Sequence, residues 1–280
     1  MARTAEEVDP LVGEILAVLR RQTGMDFSRY RAGTVHRRIA NRMLSLGLRS
    51  HGAYLELLKG SQDEAGRLLD RIAIKVSRFY RHAPAFDRLR AEVVPALGRE
   101  SGGAPLRLWS AGCGCGEEPY TLAMLLDEAG VAGVIEATDI DPSALTAASR
   151  GRYSPESALE LPAALAARYL SAVGERPHFE LEVDECLRGR VRFRRHDLLF
   201  AAVPGWSGFD LVSCRNVCIY LEAEARLEAY RALSRALRPG GVLLLGESEW
   251  PPEPVMRMLA PVAGAQRIFR AVDPVAMAQA

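Results

Sequence analysis

From residue 106 onward, strand-length apolar runs alternate with helix-length amphipathic segments. That alternation confines the chain to an α/β fold built on a mostly parallel, doubly wound sheet. Strands are predicted over 106–110, 134–138, 191–194, 209–214 and 242–245, with a last one over 268–271. Helices are predicted over 117–129, 142–150 and 222–237, the last stopped by Pro239-Gly240-Gly241. The stretch 179–195 alternates and is rich in charge, which predicts a small β excursion inserted in the main sheet.

Ahead of residue 104 the pattern differs. Val8, Leu11, Val12, Ile15, Leu16 and Leu19 recur at helical spacing over 8–21. A second amphipathic helix is predicted over 34–48 with Thr34 as its N-cap, and two more over 51–59 and 62–74. The breaker cluster Ser101-Gly102-Gly103-Ala104-Pro105 marks a linker. The expected organisation is an all-helical domain over 1–85, a linker over 86–105 and an α/β domain over 106–280.

Charge divides along the same line. The chain of 280 residues carries a net charge of only +1, which disfavours a strongly basic nucleic-acid binder. Residues 1–100 nevertheless hold 18 Lys and Arg against 12 Asp and Glu, while the remainder is net acidic. The basic end suits an acidic partner. Arg31, Arg38, Arg42 and Arg49 are spaced to share one helix face, read either as a docking stripe or as an ordinary solvated face. The apolar runs are too short to span a bilayer, and no cationic leader opens the chain, so a cytoplasmic protein is expected. Five cysteines without a CxxC pair argue against a disulfide framework, and neither Cys113 and Cys115 nor Cys214 and Cys218 are expected to hold a metal.

The chemistry concentrates in Ser110-Ala111-Gly112-Cys113-Gly114-Cys115-Gly116-Glu117-Glu118, where a strand runs through a glycine loop into a helix. Gly112 and Gly114 let backbone approach a ligand, though a tight strand-to-helix turn alone would use glycines the same way. Asp139 closes the second strand about 20 residues further on, where an acid accepts both hydroxyls of a ribose or, more simply, caps a helix. Two glutamates at the helix start would repel a pyrophosphate but suit a ligand bearing an amino group and a sulfonium. That favours S-adenosylmethionine over a nicotinamide dinucleotide. Glu118 also has a plain reading, as a first-turn acid on the helix dipole.

Four segments carry a family resemblance: 75–81, 109–120, 138–141 with Gly151-Arg152-Tyr153, and 210–220, supported by Pro239-Gly240-Gly241 and Gly246-Glu247-Ser248-Glu249. The chain resembles the chemotaxis receptor glutamate O-methyltransferases, the CheR family, from about residue 12 to 271. The resemblance implies a Rossmann-like S-adenosylmethionine-dependent methyltransferase domain behind an all-helical receptor-docking domain. It implies transfer of methyl groups to receptor glutamates, with S-adenosylhomocysteine as product. Ser77, Arg81, Gly112, Gly114, Glu118, Asp139, Asp197, Leu198, Arg215 and Asn216 match the cofactor-binding positions, and Arg81 and Tyr220 the positions beside the reacting methyl. Lys75 stands where the family has asparagine, and Cys115 and Glu247 replace threonine and histidine. The resemblance leaves two alternatives open: a cofactor-binding signalling adaptor with weak catalysis, and an enzyme of the same fold acting on another carboxylate.

Overall fold

Helical periodicity before residue 74 produces four helices, α1 (Pro10–Thr23), α2 (Ala32–Ser45), α3 (His51–Gly60) and α4 (Gln62–Ile72). The computed structural model describes residues 10–73, 77–175, 177–199, 207–264 and 267–272. The chain divides into two compact units, one of Met1–Lys75 with Tyr220–Ala225, the other of Val76–Ile219 with Arg226–Ala280.

In the helical unit, Val12, Ile15, Val18 and Leu19 of α1 are buried, as are Val35 and Ile39 of α2, Tyr54 and Leu58 of α3, and Leu68 and Ile72 of α4. Removing these aliphatic stripes from water is the main source of stability for helices this short. Ser50 caps α3 by accepting from the Ala53 N–H at 3.4 Å, and Ser61 caps α4 through Glu64 N–H at 3.1 Å. Thr34 does not cap α2, which starts two residues earlier at Ala32. Its first N–H groups find partners far along the chain: Arg31 N donates to Tyr220 O at 2.8 Å and Ala32 N to Glu222 Oε1 at 3.2 Å. A cap supplied across 190 residues leaves no local signature.

The arginine stripe is corrected by the structure. Arg42 is only 9% exposed. Its Nε and Nη2 donate to the two oxygens of Glu64 at 2.8 and 2.6 Å, and Tyr54 OH donates to Glu64 Oε1 at 2.9 Å. Burial works against the Glu64 charge, but the Arg42 and Tyr54 hydrogen bonds prevail and hold its carboxyl below the usual range. Arg31 lies at the start of α2 and Arg49 beyond its end, so the four arginines share no helix face. Arg42 faces inward because its neighbours Ile39 and Met43 do.

In the second unit, α5 (Ala83–Arg88) passes through a π-helical turn (Leu89–Val93) into α6 (Val94–Glu100). The linker expected over 86–105 is therefore mostly helix, with Phe86, Leu89, Val93, Val94 and Leu97 buried in the core of this unit. Only the turn after α6 matches the breaker cluster. The apolar spacing of 86, 89, 93 and 97 is helical, and a linker would have no reason to carry it.

The main sheet comprises β1 (Leu106–Ala111), β2 (Gly133–Asp139), β6 (Val191–Arg195), β7 (Phe209–Cys214), β8 (Leu237–Leu245), β9 (Leu259–Pro261) and β10 (Ile268–Ala271). Its order is β6-β2-β1-β7-β8-β10-β9, with β10 antiparallel to both neighbours and the first five strands parallel. All six residues of β7 are buried, as expected for a central strand covered on both faces. Helices α7 (Glu117–Glu128), α8 (Pro142–Arg150) and α11 (Ala223–Ala236) follow β1, β2 and β7, and the short α12 (Glu253–Met256) precedes β9.

A three-stranded antiparallel sheet, β3 (Arg152–Tyr153), β5 (Glu180–Val183) and β4 (Leu170–Val173), stands apart from the main one, with α9 (Ala163–Tyr169) and α10 (Glu185–Arg188) beside its strands in the chain. The excursion predicted over 179–195 is thus real in its first strand and wrong in its span. Val191–Arg195 pairs with β2 in the main sheet, while the partners of β5 come from residues 152–153 and 170–173. β4 continues straight from α9 and has no alternating pattern to betray it.

Arg42→Met is expected to destabilise the helical unit by about 3–5 kcal/mol, because it leaves Glu64 buried without its countercharge. Urea unfolding followed by circular dichroism measures this; a loss below about 1 kcal/mol would mean the pair is an ordinary surface bridge.

Candidate active site

Parallel pairing brings the carboxyl ends of β1, β2 and β7 side by side, with Ala111 opposite Thr138 and Ser110 opposite Ser213. The loops leaving those ends therefore share one edge of the sheet, the edge where open α/β sheets place their ligands. The first loop turns at Gly112, whose N–H and that of Cys113 both donate to Thr138 O, at 2.7 and 2.9 Å. Gly112 has φ 73°, and a Cβ there would stand 2.3 Å from Val217 Cγ2. Gly114 has φ 55°, and a Cβ there would meet nothing within 4 Å. The loop thus packs tightly at its root and presents bare backbone to open space at Gly114.

Asp139 ends β2 with its carboxylate turned to that loop. Gly114 N donates to its Oδ2 at 2.8 Å and Asp141 N to its Oδ1 at 3.0 Å. Burial raises the Asp139 carboxyl above its usual range, while these N–H groups pull the other way. The helix-cap reading belongs to Asp141, which accepts from Ser143 and Ala144 N–H at the start of α8. His196 N donates to Asp139 O at 3.0 Å, which sets the Asp197-Leu198 turn beside the end of β2. Asp197 Oδ1 in turn accepts from Leu199 N at 2.9 Å.

Glu118 starts α7 beneath the same loop. Its Oε1 accepts from Ser110 Oγ at 2.8 Å, and its Oε2 lies 3.4 Å from Arg215 Nη1. Arg215, at the end of β7, is buried; its Nη2 donates to Arg81 O at 2.6 Å and its guanidinium lies 4.9 Å from the Phe86 ring centroid. Arg81 is flanked by Tyr80 and His82 at φ 59° and 66°, the left-handed region that bulky side chains avoid. Such strain persists only where surroundings over-determine it. Here Phe79 N donates to Ser157 O, Tyr80 N to Thr121 Oγ1 and His82 N to Glu160 Oε2, at 2.9, 3.1 and 2.9 Å.

The structure thus brings Gly112, Gly114, Glu118, Asp139, Asp197, Leu198, Arg215 and Asn216 to one sheet edge, and ties the Arg81 backbone to it. Ser77 belongs to the same unit, four residues ahead of Arg81. Tyr220 is counted with the helical unit, where its carbonyl accepts from Arg31 N. Lys75 lies outside the described residues. Cys214 and Cys218 are buried free thiols, 3.9 Å apart.

Sequence reasoning missed Ser110 and Glu249. Ser110 stands in the glycine-loop motif without a role of its own there, yet it orients Glu118. Glu249 is 2% exposed and holds the turn containing Asn216. A carboxylate just beyond the carboxyl end of a strand is the one signal that marks it, and its burial is a tertiary fact.

The site suits a group with a ribose, an amine and a sulfonium. Each Asp139 oxygen has one N–H donor in the contacts above and keeps a lone pair for a hydroxyl, and the Glu118 carboxylate attracts positive charge. The loop makes a local test possible. Gly112→Ala is expected to cost more stability than Gly114→Ala: both force an alanine into the left-handed region at about 1–2 kcal/mol, but only the first also drives a methyl into Val217. Equal losses in urea unfolding would deny Gly112 its packing role.

Comparison with known proteins gives the site its context. The family model described as CheR methyltransferase, SAM binding domain, matches residues 75–258, and the CheR methyltransferase all-alpha domain matches residues 12–73. The chemotaxis protein methyltransferase of Listeria monocytogenes is 36% identical over 236 residues, spanning 83% of this chain and 87% of its own. Chemotaxis protein methyltransferase 1 of Pseudomonas aeruginosa is 35% identical over 238 residues, 77% of this chain and 81% of its own. An uncharacterized 104.1 kDa protein of Rhodobacter capsulatus is 35% identical over 245 residues, and there this chain spans 25% of the relative's length. With both domains matched in order and the glycine loop and its two acids at one sheet edge, the chain belongs to the CheR methyltransferase family of S-adenosylmethionine-dependent enzymes.

Proposed function

We propose that the chain is a protein-glutamate O-methyltransferase that esterifies glutamate side chains of chemotaxis receptors. The observation that carries this reading is the placement of two acids, Glu118 and Asp139, on either side of a glycine loop at the carboxyl edge of a parallel sheet. S-adenosylmethionine, when bound, supplies an electrophilic methyl group. Asp139 would accept from the ribose hydroxyls and Glu118 would hold the amine end, with the Asp197-Leu198 turn beside the base. Arg215 and Asn216 would line the cofactor from the end of β7.

A substrate glutamate needs no strong base. With an ordinary pKa near 4.3 it is ionised at neutral pH. The task left to the protein is alignment and exclusion of water, and orientation alone is worth roughly 7–11 kcal/mol in ideal cases. Arg81 would place the incoming carboxylate. A bond that tightened on the ground-state carboxylate would dull it, so the role of Arg81 is positioning and not activation. On the family resemblance, Tyr220 would serve as a hydroxyl donor in the transfer. The helical unit would meet the receptor through the exposed basic side chains of Arg31 and Arg49, with Arg38 between them, by an attraction that weakens with salt. Among the described residues no helix is long and apolar enough to cross a membrane.

Incubation with tritium-labelled cofactor and membranes bearing candidate receptors should release base-labile tritiated methanol from the receptor band. Label that resists base would mean a different acceptor atom. Asp139→Ala should weaken S-adenosylhomocysteine binding by about 1–3 kcal/mol in calorimetry, and unchanged affinity would remove Asp139 from the site. Reversing Arg31 and Arg49 to Glu should lower receptor methylation while sparing affinity for S-adenosylhomocysteine. Loss of both together would place these arginines in the fold of the unit and not on its docking surface.

A further inference from the structure

Glu249 lies just past the end of β8, and its carboxylate is filled by the chain itself. Oε2 accepts from Asn216 N at 2.7 Å and Gly246 N at 2.8 Å, and Oε1 from Cys218 N at 2.9 Å and Val217 N at 3.2 Å. Three consecutive N–H groups, 216 to 218, converge on one anion. That convergence accompanies a left-handed Asn216, with φ 60°. A Cβ on Gly246 would stand 2.6 Å from Glu249 Oε2 and 2.9 Å from Asn216 N, so the strand end is shaped to admit this carboxylate.

We propose that Glu249 is a positioning residue for the cofactor site: its carboxylate fixes the Arg215–Cys218 turn, and through it the Asn216 backbone and the reach of Arg215 to Glu118 and Arg81. This rests on the reading that Arg215 and Asn216 meet the cofactor. The residue touches no reacting atom. Its effect is to hold in advance a turn that the cofactor would otherwise have to order, so its loss falls on binding more than on the transfer step. A neutral amide of the same shape sets an NH2 group against two N–H donors that need an acceptor, which makes Glu249→Gln a more specific probe than truncation.

The test compares three variants by calorimetry with S-adenosylhomocysteine, each first shown to unfold cooperatively in urea. Glu249→Gln should raise Kd at least about tenfold, and raise KM for S-adenosylmethionine in parallel while kcat at saturation stays within about threefold. Asp210→Asn is the stability control. Asp210 is also a buried acid, at the opposite end of β7, where it accepts from Arg107 N and Arg238 Nε at 2.8 and 2.6 Å. It should lose stability and keep its affinity. Asn216→Ala tests the underlying reading and should also weaken binding. Weak binding by Asn216→Ala with wild-type affinity in Glu249→Gln overturns the inference alone. Wild-type affinity in both overturns the reading beneath it. An affinity loss in Asp210→Asn as large as that in Glu249→Gln reduces the effect to general destabilisation and overturns the inference. Should Glu249→Gln fail to fold, Glu249→Asp keeps the charge but draws it back by one methylene, and carries the same expectation.

Discussion

The pairing of β1 with β2 on one side and β7 on the other is the constraint on which the site depends. Parallel strands in register must end at the same edge, so three loops that are far apart in sequence leave the sheet as neighbours. Gly112, Asp139 and Arg215 meet for that reason and for no reason local to any of them. The backbone then locks the arrangement: two N–H groups of the glycine loop close on Thr138 O, and a third closes on the Asp139 carboxylate. A loop held in this way has little entropy left to lose when a ligand arrives.

Around that edge, charge is managed by pairing and not by exposure. Glu118 lies against Arg215 and Ser110; Glu249 sits among four backbone donors; Asp139 is braced by two. Burying a carboxylate is costly unless hydrogen bonds replace its water. Each of these acids has its bonds supplied by a different element, so each also ties those elements together. The same logic governs the helical unit, where Glu64 gathers Arg42 and Tyr54 from two other helices. A buried pair of this kind specifies how the helices meet more surely than it stabilises them.

Much of this was legible in the chain. The helix over 142–150 and the strands over 209–214 and 268–271 match the structure residue for residue, because Pro142 and Gly151, Gly208 and Arg215, and Arg267 punctuate them. The failures share a cause. Thr34 looked like a cap because it has a hydroxyl, but Glu222 arrives from elsewhere to satisfy the helix. The arginines looked like a stripe because spacing alone cannot tell which side of a helix is covered. The small sheet was misplaced because its shortest strands have too few residues to display a period. The 86–105 segment looked like a linker because its last five residues are breakers, although the residues before them repeat at helical spacing.

What the sequence by itself determined was periodicity and chemistry: an alternating α/β body behind a helical bundle, a glycine loop between two acids, and the family to which those motifs belong. Local spacing and residue type suffice for that, since hydrogen-bonded elements and turn glycines are short-range properties of the chain. Only the tertiary structure decided which acids accept from backbone, that Arg42 is an internal countercharge, and that Ser110 and Glu249 brace the residues beside them. Those roles depend on burial and on donors brought in from distant strands, and no stretch of sequence contains its own neighbours in space.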